Sequence, residues 1–260
     1  MTENQGPWAG RFTDRVAIVT GAAQGIGAAT ARRLAEEGAT VAILDRNGDG
    51  ARGTAEAIAA AGGSAFGLAC DVASAQSAAD AVAEVATRHG HLDVLVNNAG
   101  ITRDNMLFKM DDDDWTTVLQ VNLTGVFLMC RAAQRHMVPA KYGRIVNLSS
   151  RSALGNRGQV NYAAAKAGIQ GLTATLAIEL GPFNVTVNAV APGYVATAMT
   201  AATAERVGIS PEDHQKAVAE HTPLRRVGRP EEIASVIAFL ASDDASYVSG
   251  QTLYVNGGAR

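Results

Sequence analysis

The chain predicts an α/β fold, a doubly wound sheet of about seven parallel strands flanked by helices. Three observations predict it. Short β-branched runs alternate with longer alanine-rich segments at helical spacing, the pattern that strand–helix–strand units leave in a sequence. Several of the short runs are apolar at every position, which suits strands covered on both faces. A glycine-rich turn follows the first run and opens directly into a helical segment.

Taken in order, the β-branched runs place strands at 16–20, 40–45, 65–70, 92–97, 144–149, 185–190 and 252–255. Helical segments fit between them, near 26–38, 48–62, 74–90, 112–138, 160–181 and 230–241. The helix near 112 begins at four consecutive acids, Asp111 to Asp114, and acids in a first turn are favoured by the helix dipole. No linker or repeat divides the chain, so 14–260 reads as a single domain behind a flexible N-terminal segment, 1–13. The stretch 194–228 carries Thr197, Pro211 and Pro223 but no strand. Ligands bind beyond the carboxyl ends of such strands, so a helical insert there is placed to form a substrate lid.

Composition narrows the function. With 47% hydrophobic and 18% charged residues over 260 positions, a large core is available. The net charge of −3 offers no basic stripe for nucleic acid; Arg225, Arg226 and Arg229 are expected to pair with nearby acids or a neighbouring subunit. Cys70 and Cys130 have no paired spacing, which excludes a disulfide scaffold and fits a reducing compartment. No 18-residue apolar run suggests a membrane span, and the start lacks a signal-peptide pattern. A cytoplasmic protein is expected. His89 and His91 lack partners for a metal, so none is expected.

The turn Gly21-x-x-x-Gly25-x-Gly27 lets backbone approach a diphosphate at a helix N-terminus, with Gln24 and Ile26 beside it. Asp45 ends the second strand, 18 residues after Gly27. An acid there accepts hydrogen bonds from adenosine ribose hydroxyls and repels a 2′-phosphate. Arg46 softens that repulsion, so NAD is favoured over NADP without strict exclusion. Asp71, with Val72, closes the third run and could accept from an adenine amino group or cap the helix near Ser74. Asn98, Ala99 and Gly100 follow the fourth run, where small residues allow close approach to the cofactor.

Tyr162 and Lys166 stand four residues apart on one helical face. A phenol becomes a useful acid and base near neutral pH when a cation lowers its pKa from about 10, and Lys166 is expected to do this. Seen together, the glycine turn, Asn97-Asn98-Ala99-Gly100, Asn122, Ser149, Tyr162-x-x-x-Lys166 and Pro192-Gly193 resemble the short-chain dehydrogenase/reductase family over 14–258. The resemblance implies a single Rossmann-like domain, usually a homotetramer or homodimer.

It also implies roles. Tyr162 is the general acid/base and Lys166 binds the nicotinamide ribose. Ser149, thirteen residues before Tyr162, holds the substrate oxygen, and Asn122 holds a water that relays protons to the lysine. Pro192, Gly193, Val195 and Thr197 contact the nicotinamide end. Within the family the chain is most similar to bacterial 3-oxoacyl-(acyl-carrier-protein) reductases, through 98–107, 155–162 and 255–258. It departs from them at Gln24 and Asp45, where basic contacts to a cofactor phosphate are usual. It departs again at Phe183, which replaces one of two basic carrier-protein contacts; the other is kept as Lys141. The substrate implied is an acyl-thioester or other small carbonyl compound. The alternatives are an NAD-dependent dehydrogenase of a small diol, polyol, sugar or steroid, and a catalytically silent dinucleotide-binding regulator.

Overall fold

The computed structural model describes residues 10–206 and 208–259. Seven strands form one sheet: β1 (Val16–Thr20), β2 (Thr40–Asp45), β3 (Ser64–Ala69), β4 (Val94–Asn97), β5 (Gly143–Leu148), β6 (Val185–Pro192) and β7 (Thr252–Val255). Their order is β3-β2-β1-β4-β5-β6-β7, and every neighbouring pair is parallel. The helices are α1 (Gly25–Glu36), α2 (Gly48–Ala60), α3 (Ala75–His89), α4 (Asp112–Leu119), α5 (Gly125–Ala140), α6 (Val160–Leu180), α7 (Ala198–Arg206), α8 (Pro211–His221) and α9 (Pro230–Ala241).

Strand alternation builds two cores from one sheet. Val19, Ile43 and Val96 face α1, α2 and α9 through Leu34, Ile58 and Ile237. Ile18, Leu44 and Leu95 face α3, α5 and α6 through Val85, Met129 and Ile169. Every residue of β1, β4, β5 and β6 is buried, including the polar Arg144 and Asn147 of β5 and Thr186 and Asn188 of β6. The edge strand β3 is mostly half-buried.

Two expectations are corrected. The helix expected over 112–138 is interrupted: a π-helical turn, Gln120–Thr124, separates α4 from α5. The cause is Asn122, whose amide bonds both ways to the backbone of Ile101, Oδ1 accepting from its N–H at 3.0 Å and Nδ2 donating to its carbonyl at 2.9 Å. The widened turn swings this fully buried side chain toward the end of β4. The expected flexible segment lies outside the described residues up to position 9, but residues from 10 onward are docked. Phe12 is 1% exposed, its N–H donates to Glu37 O at 2.8 Å, and Arg11 and Arg33 both pair with the buried Glu37 carboxylate. A buried charge needs such pairing.

Elsewhere the local chemistry is as read. Asp111 caps α4 by accepting from Asp114 N–H at 2.7 Å, and Arg226 forks onto Glu232 at 2.6 and 2.8 Å. No helix among the described residues is long and apolar enough to cross a membrane. Phe12→Ala is expected to destabilise the protein by about 3–5 kcal/mol in urea unfolding, the usual loss for a fully buried phenylalanine; a loss under 1 kcal/mol would show the segment to be peripheral.

Candidate active site

The sheet reverses its order at β1, with β2 and β3 on one side and β4 to β7 on the other. Ligands bind in the crevice at such a switch point. A cleft of about 730 Å³ opens there. Its floor is the turn after β1, with Gly21, Gln24, Gly25 and Ile26. Gly21 and Gly25 have φ of 62° and 59°, values open to glycine and unfavourable for other residues. A Cβ on Gly21 would lie 2.6 Å from Ala99 Cα. One on Gly27, which packs beneath the turn, would lie 2.5 Å from Asn98 Nδ2. Asn98 Nδ2 donates to the carbonyls of Thr20 and Gly21, both at 2.9 Å.

These contacts leave the α1 N-terminus facing the cleft. Gln24 makes no side-chain cap and no acid stands in the first turn, so the first N–H groups of the helix keep their capacity to bind an anion. The cradle fits a dinucleotide diphosphate. Along the cleft from there lie Asp45, Arg46, Asp71, Val72, Asn98, Ala99 and Gly100, with Thr197 at its lid side. Asp45 is fixed by two backbone donors, Ala23 N–H at 3.1 Å and Asn47 N–H at 2.9 Å. Asp71 accepts from Ala73 N–H at 3.0 Å, while the helix cap itself is Ser74, accepting from Ser77 N–H.

Pro192, Gly193 and Val195 do not line the cleft. Pro192 ends β6 paired with Val255, Gly193 packs on Asn256, and Val195 is buried and bridged to Gly228. The Val195 side chain is core, which leaves the backbone of this residue for the expected contact. Thr102, Arg103, Met199 and Arg206 line the cleft without any local signal in the sequence, because the lid and the loop after β4 meet only in three dimensions.

Tyr162 and Lys166 face the ends of β4 and β5 from α6. The Lys166 Nζ is 5.4 Å from the centre of the Tyr162 ring and donates to Leu148 O at 2.7 Å. Lys166 is buried, and burial lowers its pKa to about 8. The Tyr162 phenol is pushed up to about 12, chiefly by burial; the hydrogen bond with Ser150 lowers it and the negative charge of Asp104 raises it. This corrects the expectation of a lowered phenol. The ammonium is itself disfavoured by burial and is aimed at Leu148 O, so desolvation of the phenol prevails.

Ser149 is also corrected. Its N–H still pairs with Val190 O at 2.8 Å, in continuation of the sheet, and its Oγ points into the fold. There it donates to Lys166 O at 2.8 Å and accepts from Gln170 Nε2 at 3.1 Å. In extended backbone the next side chain points the opposite way, and Ser150, with φ −163° and ψ 155°, is the one that meets the phenol. The side chain of Asn122 is engaged by Ile101 through both polar atoms and so anchors the loop after β4.

A family model described as Enoyl-(Acyl carrier protein) reductase matches residues 21–260. The Short-chain reductase protein NovJ of Streptomyces niveus is 50% identical over 245 residues, 94% of each chain. The 3-oxoacyl-(acyl-carrier-protein) reductase FabG of Aquifex aeolicus is 46% identical over 250 residues, 95% of this chain and 98% of that one. The crystal structure of levodione reductase superposes with a TM-score of 0.92 at 34% identity, covering 95% of this chain and 98% of the other. With the parallel sheet and the glycine cradle, these likenesses make the chain an NAD(P)-binding oxidoreductase that acts on CH–OH and keto groups, and it belongs to the short-chain dehydrogenase/reductase family.

Proposed function

We propose that the protein is an NAD(H)-preferring reductase of a 3-oxoacyl thioester, with 14–260 as one catalytic domain and 194–228 as its lid. The observation that carries the chemistry is the cluster of Ser150, Tyr162 and Lys166 at the end of β5. The nicotinamide cofactor supplies hydride when bound. Tyr162, with its pKa raised to about 12, stays protonated at neutral pH and is a proton donor to a ketone oxygen. Ser150, hydrogen-bonded to that phenol, holds the same oxygen in line. Lys166 orients the cofactor ribose, and Asn122 is a positioning residue acting through Ile101.

The NAD preference rests on Asp45. Its carboxylate is held at the cleft by Ala23 and Asn47 N–H, leaving lone pairs for the two ribose hydroxyls and a charge that opposes a 2′-phosphate. The substrate reading rests on the likeness to 3-oxoacyl-(acyl-carrier-protein) reductases. Phe183 is 38% exposed at the position where the resemblance implies a basic carrier-protein contact, so the proposal names the acyl thioester and not a carrier protein. The likeness to levodione reductase favours a second reading, a small ketone or diol. The intact cluster argues against a silent regulator. Two separate apolar faces support a homotetramer, Phe127 with Ile178 on α5 and α6, and Phe239 with Leu253 on α9 and β7; tetramers of dihedral symmetry use more than one face.

Tyr162→Phe is expected to lower turnover by about 10³-fold and Ser150→Ala by about 10²-fold, with NADH binding retained in both. Ser149→Ala is expected to lower the melting temperature and leave most of the turnover; the reverse ranking of the two serines would overturn the assignment. Acetoacetyl thioester should be reduced with a higher kcat/KM for NADH than for NADPH, whereas turnover confined to small diols and ketones would select the second reading. Lys166 gives a stability test. Its folded pKa of about 8 lies below the unfolded value near 10.4, so between these pH values the unfolded chain binds more protons and stability rises with pH. Melting curves at pH 7.5 and 9.5 should show this increment in the wild type and lose it in Lys166→Met.

A further inference from the structure

The cleft carries more positive charge than its floor explains. Arg46, Arg103 and Arg206 line it, against Asp45 and Asp71. Both acids are engaged by backbone N–H groups, and Arg103 lies 3.6 Å from Asp114. Arg46 and Arg206 have no ion-pair partner among the described residues, and of the two Arg206 is the one on the lid. It closes α7 in the lid, and its Nη2 reaches across to Thr102 Oγ1 at 3.1 Å and to Thr203 Oγ1 at 3.4 Å. Its partners among the described residues are therefore two hydroxyls, neither of which neutralises a guanidinium.

The simpler account is a cation favoured at a helix C-terminus by the dipole. That account requires no contact with Thr102, which is 104 positions away in sequence and lies on the same cleft. The floor of the same cleft is the uncapped α1 N-terminus with no acid in its first turn. Gln24, beside the middle glycine, adds no charge there. A neutral floor of N–H donors and an unneutralised guanidinium on the lid together complement one kind of ligand, an anion with oxygens on two sides.

We propose that Arg206 is a cofactor-binding residue of the lid, whose guanidinium pairs with the diphosphate of the dinucleotide held on the α1 N-terminus. Arginine suits this position because its planar fork donates two parallel hydrogen bonds to phosphate oxygens. The lid then closes onto the cofactor through charge, and Thr102 holds the guanidinium at the lip of the cleft. The inference rests on NAD(P) binding and is independent of the acyl-thioester reading. The same phosphate chemistry is also carried by a coenzyme A thioester, so the experiment separates the two sources.

NADH and ADP-ribose, which share the diphosphate, are titrated by fluorescence and by competition against the full-length wild type, Arg206→Gln, Arg206→Lys and Thr102→Val. Arg206 is exposed, so its variants are expected to fold, and melting curves check this. Arg206→Gln should weaken both ligands about tenfold, the effect of losing one charge-assisted contact, and should flatten the salt dependence of binding. Arg206→Lys should recover most of the affinity. Thr102→Val, which keeps the charge but removes the hydroxyl that holds the guanidinium, should weaken both ligands by less than Arg206→Gln does. Wild-type affinity of Arg206→Gln for both ligands would overturn the proposal. So would an equal loss in Thr102→Val, which would make the contact a structural tether. A third contrary result is unchanged NADH binding with a rise in KM confined to coenzyme A thioesters and absent from N-acetylcysteamine thioesters, which would move the anion to the substrate.

Discussion

The structure depends on how closely the turn after β1 approaches the loop after β4. The two segments are nearly 80 residues apart in sequence, yet Asn98 bonds to Thr20 and Gly21 and Thr20 Oγ1 accepts from both Asn98 and Ala99 N–H at 3.1 Å. No side chain fits between them: a Cβ on Gly21 would overlap Ala99, and one on Gly100 would lie 2.5 Å from Asn122 Oδ1. This packing sets the aim of the α1 N-terminus. It also carries the loop after β4 to Ile101, where Asn122 takes hold of it. One steric constraint therefore links the diphosphate cradle to the helix that precedes β5.

On the other side of the switch point, burial decides the protonation states. A surface tyrosine beside a lysine would have a lowered pKa, because the cation stabilises phenolate. Here Lys166 is buried and Tyr162 half-buried, and each is driven toward its neutral form. Tyr162 keeps its proton and Lys166 holds its own less firmly. An acid that retains its proton at neutral pH matches the reductive direction, in which a ketone oxygen must be protonated. Oxidation needs the phenolate, and therefore a further positive charge near Tyr162 to offset desolvation.

Much of this was legible in the sequence, and the misses have identifiable physical causes. The seven parallel strands, the glycine turn, Asp45 and the Tyr162–Lys166 pair follow from periodicity, spacing and the resemblance those motifs carry. The choice between Ser149 and Ser150 depends on strand parity at the end of β5, and thirteen-residue spacing picks the serine that faces inward. Only the pairing of Ser149 N–H with Val190 O reveals which way each points. The break at Gln120–Thr124 was hidden because a π-helical turn preserves the composition of a long helix. Its one local sign was an asparagine where helices disfavour it. Arg206 was missed because α7 meets the loop after β4 through a contact of long sequence separation.

That last point separates what the sheet determines from what the lid determines. The lid is fastened at its base, where Val195 pairs with Gly228, and along its length, where Tyr194 OH meets His214 Nδ1 at 3.1 Å with the rings 5.2 Å apart. Beneath α8 lies a second cavity of about 560 Å³, lined by Ala217, Val218 and Leu224 and bounded by Arg151, which directly follows Ser150. The proposed reacting groups stand just after β5 and on α6, whose positions are fixed by a fully buried strand and a hydrogen-bonded lysine. On the proposed reading, the walls that discriminate one acyl or ketone group from another stand largely on α8 and its flanks. No residue of α8 is fully buried. A substitution on that helix can therefore reshape the cavity without disturbing the core, so substrate choice can change on this scaffold while the proton donor stays in place.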